Sequence, residues 1–468
     1  MTLQTPRETA ELDEGSESWS PGVIRRSVGI AGAVVLASLV YTLPPFDEAA
    51  RKGLALLAFI GVLWLTEALD LAVTALLVPL GALVLGIPGL TTTSALAPFA
   101  DPIVFLFLGG FALATALQVQ KLDRKMAALL LLLSRGHFGW AVVLLFLATA
   151  VLSMGISNTA TAAMMLPLSL GILGALDDAS DRRTHAFVLL GVAYAASIGG
   201  IGTLVGSPPN AIAARAAGID YAEWLRIGLP MVAVLLPLMF VTLWWVLRPT
   251  LNRRFVPDVV PVPWTPNMVL TLVVFGLTVL GWTFGTSPLK AAGIQSPDTF
   301  VAMAAAVALV ALRLAAWKDV VQHTDWSVLL LFGGGLALGK VLDLSGASLA
   351  MGHATSNALQ GTHPILVVLA VATFMVLLSE FASNTAAAAL MVPIFGAMAR
   401  QMGLSAELLV VVVGLAASFG FALPVATPPN AMVFGTGMVT QRRMLRAGMA
   451  LDVVCILVLT AWGILKLG

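Results

Sequence analysis

The sequence is poor in charge. Asp, Glu, Lys and Arg make up only 10% of its 468 residues, against about 25% in a soluble domain. Hydrophobic residues make up 59%, and the mean hydropathy is +0.97. A soluble fold could not keep so much apolar surface away from water. The composition therefore indicates an all-α polytopic membrane protein.

Other absences exclude further classes of protein. The single cysteine, Cys455, permits no internal disulfide. The formal net charge of +1 provides no basic field for nucleic acid. The chain has no His-Glu-x-x-His motif and no pair of aspartates embedded in an apolar segment, so we expect no enzyme.

The distribution of charge along the chain predicts its orientation. Residues 1–20 form a polar, acidic tail without the basic start and short apolar core of a cleaved signal peptide, and we expect it to be disordered and cytosolic. The first apolar run begins around Arg25 and Arg26, and most other Lys and Arg residues lie in the predicted inner loops. We expect a multi-pass inner-membrane protein with its N-terminus in the cytoplasm and its C-terminus outside.

Long apolar runs predict the number of spans, because a spanning helix needs about 20 apolar residues. Two further stretches, 138–176 and 364–399, are each long enough for two passes. As helix pairs or as re-entrant hairpins, both return the chain to its starting side. Eleven spans are predicted, near 23–43, 53–68, 70–88, 101–120, 184–216, 222–248, 265–285, 298–316, 326–342, 405–435 and 447–466.

The sequence repeats itself. FLFLGGFAL at 105–113 resembles LLFGGGLAL at 330–338, and SNTATAAMMLP at 157–167 resembles SNTAAAALMVP at 383–393. GSPPNA at 206–211 resembles ATPPNA at 426–431, and all three pairs occur in the same order. An odd number of predicted spans separates the halves, so they have opposite orientations. This is the inverted-repeat architecture of secondary transporters.

The repeated motifs predict interruptions of the helices. Ser157-Asn158-Thr159 and its partner at 383–385 split their apolar stretches near the middle, as the tip of a hairpin would. Such a tip directs the free N–H groups of its second arm into the membrane. Prolines at 208–209 and 428–429 forbid a continuous helix, so these two spans should be broken where they line a polar cavity.

A single motif of this kind could equally join two membrane helices by hydrogen bonds. Two symmetric copies of two motifs favour a binding site. No Lys or Arg occurs in 136–181, 184–214, 364–399 or 401–441. Backbone carbonyls with Ser and Asn side chains would instead form an oxygen-rich site for a small cation, which suggests sodium coupling.

The paired SNT tips and the SPPN and TPPN breaks resemble those of the divalent anion/sodium symporter family, the di- and tricarboxylate carriers, over essentially 23–466. The resemblance implies a homodimer in membrane lipid, with a scaffold and a mobile transport domain that works as an elevator. It implies scaffold at 21–136 and 251–363, and transport domain at 137–250 and 364–468.

The resemblance also implies site residues. The substrate residues would be Asn158, Thr159, Ser207, Asn384, Thr385, Thr427 and Pro428. One sodium ion would be held by Ser153, Ser157, Asn158 and the Gly206 carbonyl. The second would be held by Ser379, Ser383, Asn384 and the Ala426 carbonyl.

The leading hypothesis is sodium-coupled symport of C4-dicarboxylates such as succinate, fumarate or malate. The alternatives are a sodium-independent dicarboxylate exchanger, a symporter of another divalent anion such as citrate or sulfate, and, remotely, an anion channel. Glu380, beside the second tip, could be a proton or cation partner or could face a polar cavity. The acidic loop around Asp181 and His185, and the residues Glu67 and His323, are interpreted as solvated loops or span ends.

Overall fold

The computed structural model describes residues 21–43, 45–174, 176, 181–254, 262–351 and 362–467. The predicted tail 1–20 and the aspartates at 177 and 178 of the acidic loop lie outside these residues. The described residues form helices and no strand, apart from an isolated bridge between His137 and Arg254. The all-α fold is as the sequence predicts.

In the first half of the chain, a series of α-helices precedes the first tip. They are α1 (Pro21–Thr42), α2 (Glu48–Thr66), α3 (Leu71–Val84), α4 (Thr92–Leu96), α5 (Pro102–Val119), α6 (Leu122–Leu133) and α7 (Phe138–Ser153). Beyond the tip follow α8 (Asn158–Gly174), α9 (Arg182–Gly200), α10 (Pro208–Ala217) and α11 (Tyr221–Leu247).

The second half repeats this order. Its helices are α12 (Pro266–Phe284), α13 (Thr286–Ala291), α14 (Pro297–Ala311), α15 (Trp317–His323), α16 (Trp326–Leu344), α17 (Pro364–Phe381), α18 (Asn384–Gln401), α19 (Ala406–Ala416), α20 (Pro428–Gly435) and α21 (Gln441–Leu467). Every predicted span overlaps at least one of these helices.

Several helices are long and apolar enough to cross a bilayer. Among the described residues, 7 helical segments of at least 18 residues meet this condition. Shorter apolar helices of 10–17 residues include both arms of the first hairpin. A chain with this many apolar helices is a multi-pass membrane protein.

Both hairpins and both breaks lie at the predicted motifs. Helix α7 ends at Ser153 and α8 begins at Asn158, while α17 ends at Phe381 and α18 begins at Asn384. Helix α9 ends at Gly200, eight residues before α10 starts at Pro208. Pro208 and Pro428 stand at the first helical position and Pro209 and Pro429 at the second, where a missing N–H costs no intrahelical hydrogen bond.

The two repeats interlock at their breaks. Helix α10 packs against α18 and α19 of the other repeat, and α20 packs against α8 and α9. Helices α9 and α19 are buried nearly all round, which explains why their sequences are apolar on every face. In the rest of the molecule α5 packs against α14 and α16 against α3, so the packing follows the internal repeat.

Candidate functional site

One cavity brings both tips and both breaks together. Its volume is about 1130 Å³, and Asn158 and Asn384 contribute to the same walls. All predicted substrate residues line it: Asn158, Thr159, Ser207, Asn384, Thr385, Thr427 and Pro428. The predicted cation ligands Ser157, Gly206, Ser383 and Ala426 also line it. The remaining two, Ser153 and Ser379, are fully buried beside the tips.

The first tip gathers oxygen atoms around the side chain of Asn158. Ser153 Oγ lies 2.6 Å from the carbonyl oxygen of Ala196 and 2.7 Å from one end of the Asn158 amide. The same end of the amide lies 3.1 Å from Ala196 O and 3.2 Å from Gly206 O. An amide nitrogen there donates to these oxygens. An amide oxygen there would complete a cluster that only a cation could stabilise.

The second tip repeats this geometry. Ser379 Oγ lies 2.6 Å from the carbonyl oxygen of Ala417 and 2.8 Å from Asn384 Oδ1. Ser379 is four residues before the tip Ser, as Ser153 is in the first half. The two predicted cation sets therefore share one arrangement, in which a buried hydroxyl joins the tip amide to a carbonyl of the interrupted span.

A buried asparagine organises each break. Asn210 Nδ2 donates to Gly200 O at 2.9 Å and to Thr203 O at 2.7 Å. Asn430 Nδ2 donates to Gly420 O and Leu423 O, both at 3.0 Å. Unwound backbone leaves carbonyls without helical partners, and this amide satisfies two of them. Both breaks were predicted from the sequence but this role was not, although the identical spacing from each Asn to its glycine could have indicated it.

Contacts between the repeats fix the two breaks against each other. Ser207 Oγ lies 3.2 Å from Ser418 Oγ, and Tyr194 on α9 donates from its hydroxyl to Phe421 O at 2.7 Å. Thr427 Oγ1 accepts the N–H of Asn430 at 3.3 Å and so caps α20. The N-terminal ends of α8, α10, α18 and α20 thus all begin at the cavity, where their free N–H groups favour an anion.

Glu380 holds the second break. Its carboxylate is buried and accepts the N–H groups of Ala422 and Leu423, both at 2.8 Å. It therefore contacts the broken backbone, and it is not among the residues that line the cavity. In the first repeat, Thr203 has this role: its hydroxyl donates to Met154 O and accepts the N–H of Gly206.

Asp452 on α21 lies close to Glu380. Its side chain is buried, and its neighbours along α21 are apolar. No role was predicted for this acid from the sequence. An isolated Asp inside an apolar span was the available signal, because such residues usually face a partner in the protein interior.

Residues outside the tips and breaks also line the cavity, among them acids and a histidine. Glu67, His323 and Asp325 line the cavity and are exposed. Glu67 and His323 were interpreted as a span end and a loop residue, and the structure adds that both reach this cavity. Among the described residues, no Lys or Arg lines it. The cavity therefore offers a dianion hydroxyl, amide and backbone donors and one imidazole, and no side chain with a permanent positive charge.

The described residues of the acidic loop form capping and ion-pair contacts that stabilise the fold. Asp181 caps α9 through the N–H of Thr184 and pairs with Arg253 at 3.0 Å. His185 Nδ1 lies 2.7 Å from the carbonyl oxygen of Asp181. Among the described residues, no group of three His, Cys, Asp or Glu side chains could hold a metal ion.

Helix breaks and hairpin tips that meet at one cavity define the class: this is a membrane transporter. The sequence profile of a citrate transporter family matches residues 61–412. The chain is 48% identical over 438 residues to an uncharacterized transporter of Haemophilus influenzae, with 92% of this chain and 95% of that protein covered. It is 31% identical to the sodium-dependent dicarboxylate transporter SdcS of Staphylococcus saprophyticus, over 92% of this chain and 90% of that one.

The chain therefore belongs to the divalent anion/sodium symporter family of di- and tricarboxylate carriers, and it is a transporter and not an enzyme. A solved structure, the YdaH transporter of Alcanivorax borkumensis, has a TM-score of 0.59 with 14% sequence identity. It covers 84% of this chain and 98% of its own. At that identity the likeness supports the fold alone.

Proposed function

We propose that this protein is a sodium-coupled symporter of C4-dicarboxylates such as succinate, fumarate and malate. The observation that carries the proposal is the cavity itself, in which two oxygen-rich tips and four helix N-termini meet without a lining Lys or Arg among the described residues. A helix end supplies only about half a charge. These ends carry partial charges, and two bound sodium ions would add the full positive charges that no lining side chain supplies.

Each sodium ion would take its ligands from one tip and one break. The first would be held by Ser153, Ser157, Asn158 and the Gly206 carbonyl, and the second by Ser379, Ser383, Asn384 and the Ala426 carbonyl. The support is the oxygen cluster around Asn158 and its repetition around Asn384. Oxygen donors from unwound backbone and small polar side chains suit a hard monovalent cation.

The substrate carboxylates would be held by Asn158, Thr159 and Ser207 on one side and by Asn384, Thr385 and Thr427 with Pro428 on the other. The acidic groups Glu67 and Asp325, which also line the cavity, would repel a dianion. The substrate would therefore be bound by the tips and breaks alone. It could then move together with them, away from the residues that stay in place.

Movement would be of the elevator type. The segments 137–250 and 364–468 would form the transport domain, because their hairpins and breaks interlock across the two repeats. The segments 21–136 and 251–363 would form the scaffold, through which two copies associate as a homodimer. A site enclosed by interlocked helices would move as one body.

The test is uptake of labelled succinate into proteoliposomes with and without an inward sodium gradient. We expect uptake with sodium and loss of uptake when potassium or choline replaces it. Equal uptake without sodium, stimulated by internal dicarboxylate, would instead establish an exchanger. Competition by citrate, the anion named by the matching family profile, would show whether a larger substrate is accepted.

A further inference from the structure

An ion pair joins α10 to α5 at one end of the molecule. Arg215, in the last turn of α10, donates from Nε to both carboxylate oxygens of Asp101 at 3.0 Å and from a terminal nitrogen to Oδ2 at 2.8 Å. Asp101 caps α5 through the N–H of Ile103 at 3.1 Å. The pair connects a segment proposed to move with a segment proposed to stay fixed.

This end lies opposite the cavity mouth. At the far end of α5, Gln120 donates to Leu314 O at 2.7 Å, beside α15. Of the exposed cavity residues, His323 is the last residue of α15 and Asp325 lies two residues further on. Helix α5 has 18 residues and is therefore about 27 Å long. The cavity reaches solvent on the α15 side, and the ion pair closes the other side.

A second contact closes the same side. The N–H of Tyr221, at the start of α11, donates to Asp298 Oδ2 at 2.9 Å. The Tyr221 ring stacks on Trp282 with 4.5 Å between the ring centroids, and Trp282 Nε1 donates to Asp298 O at 2.9 Å. Moving α10 and α11 past α5, α12 and α14 would have to break both contacts.

The internal repeat provides no matching ion pair for the opposite state. Asp325 caps α16 and precedes the Gly333-Gly334 pair by the same distance that separates Asp101 from Gly109-Gly110. Arg215 is the fifth residue after Asn210, and the fifth residue after Asn430 is Gly435. When the second repeat takes the conformation that the first has here, Asp325 therefore meets a glycine.

We propose that Arg215 and Asp101 form a one-sided latch, which is closed in the state with the cavity open at α15 and has no equivalent in the opposite state. The latch stabilises one of the two conformational states relative to the other and so sets the resting equilibrium of the transporter. This inference rests on the proposed function, which requires both states.

The size of the bias follows from the exposure of the pair. The Arg215 side chain is 50% exposed and that of Asp101 13%. An exposed ion pair contributes little, but two-point contact of a guanidinium with a carboxylate strengthens it. We expect removal of the latch to change the ratio of the two states by roughly three- to tenfold.

The test measures that ratio directly by double electron–electron resonance on the full chain in lipid nanodiscs. Spin labels are attached at exposed positions 312 and 438 in a Cys455→Ala background, with Leu312 in the proposed scaffold and Met438 in the proposed transport domain. Arg215→Gln, Asp101→Asn and the double variant are compared. Asn keeps the cap of α5. Arg226→Gln, which removes an exposed arginine of α11, is the matched control.

The latch predicts that both single variants depopulate the distance of the state described here, that the double variant adds nothing further, and that Arg226→Gln has no effect. A ratio that stays within twofold of the parent in both single variants would overturn the latch. So would additive effects or an equal shift in Arg226→Gln. These measurements contain no substrate and no sodium gradient. Sodium-independent succinate uptake by the parent would therefore overturn the proposed function and leave the latch standing.

Discussion

At the scale of single residues, the tip asparagines are the sharpest test of the site. Asn158→Ala or Asn384→Ala removes an amide that faces the cavity and contacts a buried serine hydroxyl. Hydrogen bonds to charged groups contribute about 1.5–3 kcal/mol. We expect initial uptake of succinate at low concentration to fall at least about tenfold in either variant.

Asn267→Ala is the matched control for the tips, because Asn267 is exposed on α12. Its uptake should equal that of the parent, and all three variants should elute as the parent does in size-exclusion chromatography. Near-normal uptake by one tip variant would remove that tip from the proposed site.

The carboxylate of Glu380 supports a second prediction. Glu380→Gln exchanges one of two acceptor oxygens for an amide that cannot accept the N–H of Ala422 or Leu423. A buried donor left without a partner costs about 1–3 kcal/mol. We expect a lower melting temperature and a higher sodium concentration for half-maximal uptake, because the carbonyl of Ala426 lies in the same break.

Glu407→Gln, at the exposed start of α19, changes the same chemical group without this contact. It should alter neither quantity. A Glu380→Gln variant with the parent's sodium dependence would show that this carboxylate does not position the second cation site.

At the scale of elements, each break depends on one buried amide. Asn210→Ala leaves the carbonyls of Gly200 and Thr203 without their donor, and Asn430→Ala does the same at Gly420 and Leu423. At about 1–3 kcal/mol for each unpaired group, either variant should unfold at a clearly lower temperature. Asn252→Ala, in an exposed loop, should melt as the parent does.

The same elements show what the sequence could predict. Both hairpins and both breaks were predictable, because Pro and the Ser-Asn-Thr tips act on the local backbone. Helix α6 (Leu122–Leu133) was not predicted, because the charged residues at its start leave an apolar run too short to indicate a span. The partners of Glu380 and Asn210 also could not be predicted, because a hydrogen bond to an unwound segment depends on where that segment folds and not on residue type.

At the scale of the whole molecule, the two repeats have the same local structure, but equivalent residues differ in how they are packed. Val205 and Val425 occupy the same position, one residue before Gly206 and Ala426. Val205 packs so closely against Gly110 of α5 that any side chain there would collide with it. Val425 is 79% exposed at the cavity. One valine is thus packed against a neighbouring helix while its equivalent is exposed, as expected of an inverted repeat seen in one of two states.

The exchange of these environments is the last prediction. If the tips and breaks move as one body, Val425 should become shielded against α16 when Val205 leaves Gly110. In a Cys455→Ala background, Val425→Cys should react quickly with a membrane-impermeant maleimide and Val205→Cys slowly. Sodium and substrate that shift the equilibrium should change the two rates in opposite directions. Val84→Cys, 86% exposed at the end of α3, should keep a constant rate. Parallel changes at both positions would indicate local opening of the cavity and would exclude a rigid-body elevator.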